Sequence, residues 1–142
     1  MLAAGLAGAV VSGVPSTLWT LVEGGDPLEG GRALGKVLLP REQRTLVLLA
    51  AGAPVHLALS LGWAGVLGAV LPPRDEPALA AAGALGIAAL DLALLGRFFG
   101  PIAALPQGRQ WADHVAFGLS VGVVLRARRR AGRPPRPAAP AR

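Results

Sequence analysis

The sequence predicts an all-α, polytopic integral membrane protein: a four-helix transmembrane bundle, with three spans plus a re-entrant segment as the alternative. Three observations predict it. Hydrophobic residues make up 53% of the 142 positions and charged residues only 15%, with a mean hydropathy of +0.53, well outside the range of an ordinary soluble domain. Charge-free stretches of membrane-crossing length recur along the chain. Seven of the 14 basic residues follow Leu125, in the last seventeen positions, where they read as a membrane flank rather than a nucleic-acid face. The absence of cysteine excludes disulfides, thiolate metal sites and cysteine nucleophiles.

The first span covers residues 2–22, which carry no charge and at about 1.5 Å per residue reach across a hydrocarbon core of roughly 30 Å. A cleaved signal peptide is the rival reading, but it requires a basic segment ahead of the apolar run, and only the terminal amine precedes Leu2. Val14, Pro15, Ser16 and Thr17 mark a break inside this span, with Pro15 freeing a carbonyl that a hydroxyl can satisfy.

Asp26 and Pro27 then supply a cap and a first-turn proline. Leu28, Gly31, Leu34 and Leu38 recur at helical spacing, so residues 27–38 read as a short amphipathic helix lying on the membrane. Gly30, Gly31 and Gly35 weaken its propensity and keep a plain loop as the alternative.

The second span, 45–71, is the clearest: twenty-seven uncharged residues between Arg44 and the Pro72-Pro73-Arg74 stop, with Pro54 inside it as a kink site near His56. The third, 78–97, follows Asp75-Glu76-Pro77 and is mostly alanine. Asp91 near its centre costs about 2.5 to 3.5 kcal/mol on an insertion scale, so this span depends on its neighbours. The fourth, 110–127, is the weakest, since only eleven uncharged residues separate His114 from Arg126 and its arginines must snorkel. Pro101 and Pro106, with Gly100 and Gly108, break the chain before it. Residues 1–130 thus form one transmembrane domain, and 131–142 a disordered Arg/Pro/Ala tail.

Arg126, Arg128, Arg129 and Arg130 place both termini in the cytoplasm by the positive-inside rule, and the basic tail offers an electrostatic anchor for anionic lipid. Four basic residues in the outer loop, 23–44, oppose this orientation. Trp19, Phe98, Phe99 and Trp111 fall at span ends on one face, as an aromatic belt. Thirteen arginines against one lysine, with abundant Ala, Gly and Pro, suit a GC-rich bacterial genome and a bacterial cell membrane.

In that register the polar residues converge. His56 lies about 16 Å into its span, and Ser16, Thr17, Asp91, Asp113 and His114 all fall in the same half of the bundle. Gly52, His56, Ser60, Ala64 and Gly68 repeat every four residues and form a helix-packing stripe. His114, Gly118 and Gly122 repeat that spacing on the fourth span, and Ala4, Gly8, Ser12 and Ser16 on the first. Asp91 shares a face with Ala84, Ile87, Ala88 and Leu95.

Three functions compete for this cluster. The leading expectation is a non-enzymatic accessory or structural membrane component, with the polar groups as packing devices and helices of itself or a partner as its ligands. The alternative is a small proton-coupled transporter or channel using Asp91, His56 and His114, probed by Asp91→Asn. The third is a bis-histidine haem or metal protein, with His56 and His114 as ligands and Asp91 behind one of them; the chain has no third histidine and no cysteine, so no metal or cofactor is assigned. Walker loops, GxSxG elbows and HExxH motifs are all missing, so no catalytic residue is assigned either.

Overall fold

Glycine and proline decide where this chain stops being helical. The structure is a computed structural model that describes residues 1–72 and 76–132, with the side chains of Glu76 and Leu95 excepted. Within these residues every regular element is helical. The expected Pro73-Arg74-Asp75 flank, the Leu95 side chain on the Asp91 face and the tail over 133–142 lie outside the described residues.

The first apolar stretch is two helices, α1 (Leu2–Ser12) and α2 (Val14–Val22). The break falls at Gly13, one residue before the Val-Pro-Ser-Thr segment, because Pro15 fits the first turn of a new helix, where its missing N–H costs nothing. The Gly13 N–H turns to the Val11 carbonyl and so no longer serves the Ala9 carbonyl.

Helix α3 (Glu29–Leu38) starts two residues later than Asp26-Pro27 suggests. Asp26 does not cap it. Its Oδ1 accepts the Leu28 N–H at 2.9 Å and its Oδ2 pairs with Arg32 at 2.5 Å, holding a turn ahead of the helix. Nor does α3 stand alone: it packs along α4 (Thr45–Val70). A Cβ on Gly35 would strike the Leu48 carbonyl, and one on Gly52 would lie 2.9 Å from the Gly31 oxygen. The glycines that weaken α3 in isolation are what let the two backbones meet.

Helix α4 runs unbroken through Pro54. After it come α5 (Glu76–Ala88), a π-helical turn (Ala89–Leu95), a 3₁₀ turn (Gly96–Phe98), the short α6 (Gly100–Ala103) and α7 (Gln107–Ala131). Three stretches are long and apolar enough to cross a membrane: Leu2–Val22, Thr45–Val70 and Pro77–Phe98. Helix α7 has the length, at 25 residues, but is less apolar and is not among them.

In space, α7 lies against α5, α1 and α2, while α4 lies against α3 and α1 and barely touches α5 or α7. The helices therefore form an arc, α3–α4–α1–α7–α5. At one end the arc is closed by Ala4, Ala64, Leu67, Ala84, Phe117, Val121 and Leu125. Here a Cβ on Gly118 would strike the Ala80 carbonyl, one on Gly68 would strike the Met1 side chain, and Gly122 is buried. Arg129 donates to the Gly68 and Leu71 carbonyls at 3.3 to 3.4 Å, satisfying acceptors that the end of α4 leaves open. At the other end α4 and the π turn stand apart.

Candidate functional site

The gap between α4 and the π turn is a cavity of about 410 Å³. Each wall has a local cause. The break at Gly13 brings Ser12 and Ser16 to it from α1 and α2. Helix α4 contributes His56, Leu59, Ser60 and Trp63; α3 covers it with Leu34 and Val37; α7 adds Gln110, Asp113, His114 and Phe117. Asp91 enters from the π turn, where the Gly96 N–H reaches back five residues to the Asp91 carbonyl. A Cβ on Gly96 would lie 2.9 Å from that oxygen, so a glycine is needed for the turn to close. The extra residue of a π turn re-aims side chains out of the α-helical register, and such turns are frequent at functional sites.

Five of the six polar residues singled out by sequence line this cavity: Ser16, His56, Asp91, Asp113 and His114. Thr17 does not. It follows Ser16 in α2 and so points about 100° away around the helix. Both histidines reach the same cavity. Of the packing residues, Gly52, Gly68, Gly118 and Gly122 are buried in helix contacts, while Ser60 is buried and lines the cavity. Among the belt aromatics, Trp19, Phe98 and Phe99 are all exposed, and Phe99 also borders the cavity.

The polar groups are held in a definite arrangement. His56 Nε2 lies 2.9 Å from the Ala9 oxygen, the carbonyl freed by the break at Gly13, and 3.4 Å from Ser12 Oγ. A carbonyl only accepts, so Nε2 carries the hydrogen. Asp113 Oδ1 accepts the Ser16 N–H at 2.8 Å, one of the donors that the start of α2 leaves open. His114 Nδ1 lies 2.8 Å from the Gln110 carbonyl and carries its hydrogen by the same argument. That leaves His114 Nε2 facing Asp91 Oδ2 at 3.6 Å, while Trp63 Nε1–H donates to the same oxygen at 3.0 Å.

The consequence is chemical. With Nδ1–H committed to a carbonyl, a neutral imidazole would turn its Nε2 lone pair on a carboxylate anion. His114 Nε2 and Asp91 Oδ2 thus face each other across 3.6 Å at the wall of the cavity.

A narrow cleft of about 40 Å³ adjoins the cavity, sharing Ser16, Gly30, Leu105 and Gln110 with it and adding Thr20, Asp26, Glu29 and Arg109. Arg109 spans the cleft, donating to Thr20 Oγ1 at 2.7 Å and pairing with Glu23. Sequence reasoning missed Arg109, Gln110 and Trp63 as members of this region. Trp63 had a signal, since it lies three residues beyond Ser60 and seven beyond His56, on the same helix face. Arg109 had none.

As metal or haem ligands the histidines are poorly placed, since His56 Nε2 and both nitrogens of His114 already face protein acceptors. Among the described residues no group of three or more His, Cys, Asp or Glu is arranged to hold a metal. Comparison of the chain with known protein families, with curated proteins and with solved structures finds no match.

Proposed function

We propose that this chain is a non-enzymatic, multi-pass protein of a bacterial cell membrane, with α7 as a fourth span, that takes up and releases a proton at Asp91 and His114 as a small transporter or channel. The observation that carries this reading is that every histidine and aspartate of the spans, His56, Asp91, Asp113 and His114, lines one cavity. A packing device would be a filled seam, whereas this volume falls within the roughly 300 to 1,000 Å³ of small-molecule sites. The cleft spanned by Arg109 connects the cavity to the loop side, and both termini lie in the cytoplasm under the positive-inside rule.

The test is proton flux into sealed vesicles containing the purified protein, driven by a potassium diffusion potential and read by a trapped pH dye. The wild type raises flux well above that of empty vesicles, and Asp91→Asn lowers it at least tenfold while the protein remains monodisperse. Flux equal to that of empty vesicles removes the reading.

The accessory or structural role remains the second reading, supported by the glycine seams of α3 with α4 and of α5 with α7 and by exposed apolar side chains such as Val10, Leu46 and Val70. Those faces suit lipid, a second copy or a partner helix, while Arg126, Arg128 and Arg130 suit anionic headgroups. Nucleic acid is not among the partners proposed. Native mass spectrometry of gently extracted protein separates the two readings: a stable heteromer favours the accessory role.

A further inference from the structure

The bonds described above leave several polar atoms of the cavity without a protein partner. Asp91 Oδ2 takes the Trp63 N–H and the Asp113 carboxylate takes the N–H and hydroxyl of Ser16, but Asp91 Oδ1 accepts nothing from the described residues. Ser60 is only 5% exposed, lines the cavity and makes no side-chain hydrogen bond. The Gln110 amide is also unused. A buried hydroxyl without a partner forfeits about 1 to 3 kcal/mol, so its presence on a cavity wall points to an occupant that bonds it.

The unsatisfied set describes that occupant. Its charged members are the carboxylates of Asp91 and Asp113, which only accept and which carry negative charge. No lysine or arginine lines the cavity, so no resident cation neutralises them apart from the histidines. The remaining wall is apolar and aromatic, with Trp63, Phe99, Phe117 and Leu59, and tryptophan and phenylalanine faces attract cations as well as apolar groups.

We infer that the cavity binds a small organic ammonium ion, with its N–H groups on Asp113, Asp91 and Ser60 and its apolar part against Trp63, Phe99 and Phe117. This inference rests on the proton reading above and names the class of solute coupled to it. Binding adds one positive charge next to the Asp91–His114 pair, and the proton held there leaves to bulk water, so the charge of the site is conserved.

The titratable groups around the cavity are His56 on α4, Asp91 on the π turn, and Asp113 and His114 on α7. Helices α1, α2 and α3 offer it only serine, glycine and apolar side chains, and Asp26, Glu29 and Arg109 stand in the adjoining cleft. Proton and ammonium compete for these groups, so affinity falls as the pH is lowered.

The experiment is calorimetric titration of the full chain in lipid nanodiscs with benzylammonium, benzyl alcohol and benzoate, at pH 8 and pH 6. Benzylammonium binds at pH 8 at least tenfold more tightly than either neutral or anionic analogue, weakens at least fivefold at pH 6, and releases close to one proton. Asp113→Asn keeps an oxygen for the Ser16 N–H and lowers benzylammonium affinity at least tenfold; Ser60→Ala lowers it by a smaller factor. An unchanged melting temperature shows that the fold survives. Equal binding of amine and alcohol, or binding of none, overturns the inference. If proton flux persists in that case, only the ammonium assignment is lost. If flux is also absent, the proposed function goes with it.

Discussion

The two ends of this molecule use similar residues to opposite effect. At the packed end, small residues on α5 and α7 bring backbones into contact: Ala80, Ala84, Val121 and Ala64 have no exposed surface, and Gly118 leaves no room for a methyl group beside Ala80. At the cavity end, the four-residue stripes that continue through Ser12, Ser16, His56 and Ser60 stop short of contact. Side chains bridge the gap instead, His56 to Ala9, Ser16 to Asp113 and Trp63 to Asp91. In lipid no hydrophobic force drives helices together, so close packing and hydrogen bonds have to do it. The difference teaches that one spacing rule can produce a seam or a site, depending on whether a bulky polar residue interrupts the small ones.

The comparison breaks most sharply at Gly118. A leucine there meets a backbone carbonyl and the Ala84 methyl, neither of which can rotate away. We expect Gly118→Leu to destabilise by about 3 kcal/mol or more, seen as loss of the monodisperse species in gel filtration. The same substitution at Gly86, where a Cβ would meet nothing, leaves elution unchanged. If both variants behave alike, the packed end is not where the fold is held.

A smaller effect sharpens the same contrast. Leu67 is 3% exposed at the packed end, and Leu59 is 47% exposed on the cavity wall. Leu67→Ala should cost about 2 kcal/mol, the low end of a core truncation because lipid removes most of the transfer term. Leu59→Ala should cost well under half of that, as read by thermal melting in one detergent. Equal losses would mean that the cavity is filled and supported by its walls.

How much of this the sequence carried follows from the same physics. The helices were legible because charge-free runs and proline positions act locally, as Leu2–Val22 and Thr45–Val70 demonstrate. The convergence of Asp91, His56 and His114 was legible from depth in the spans together with the helix faces they share with small residues. The position of α3 was not, because Gly31 and Gly35 weaken a helix locally and only their meeting with Leu48 and Gly52 shows what they are for. The π turn was equally hidden, since it depends on a backbone bond from Gly96 to Asp91. Depth in the first span places Thr17 with the cluster, and its helical rotation takes it away.

Trp63 tests whether the cavity end is bridged or merely lined. Trp63→Phe keeps an aromatic ring and removes the Nε1–H that reaches Asp91 Oδ2 at 3.0 Å. Bonds of this kind inside membranes are worth about 0.6 to 1.7 kcal/mol, so the melting temperature should fall by a few degrees. The proton flux of the variant should also change, because Asp91 Oδ2 loses its Trp63 hydrogen bond. A variant that melts and conducts as the wild type does would show that the bridge is incidental.

The smallest effect belongs to a part of the chain that neither end relies on. In the loop before α4, Glu42 accepts the Arg44 guanidinium at 2.8 and 3.1 Å and the N–H groups of Gln43 and Arg44 at 2.8 Å each. The Arg44 side chain first, and these backbone donors next, hold the Glu42 carboxyl down at about 2 instead of its ordinary 4.5. A group whose value is depressed on folding contributes its stability above the unfolded value and loses it as the pH falls through the folded one. The contribution is therefore intact above about pH 4.5 and disappears toward pH 2. Lying at the surface, with the Arg44 side chain exposed, the pair should leave the melting temperature almost unmoved at neutral pH. A carbon-13 titration of the Glu42 carboxyl checks this directly: the midpoint should stand near 2 and move up toward 4.5 in Arg44→Ala. It follows that acid sensitivity setting in above about pH 5 cannot originate at this loop. If Glu42 titrates near 4.5 in the wild type, its value is not shifted on folding and the pair contributes no acid-dependent stability at all.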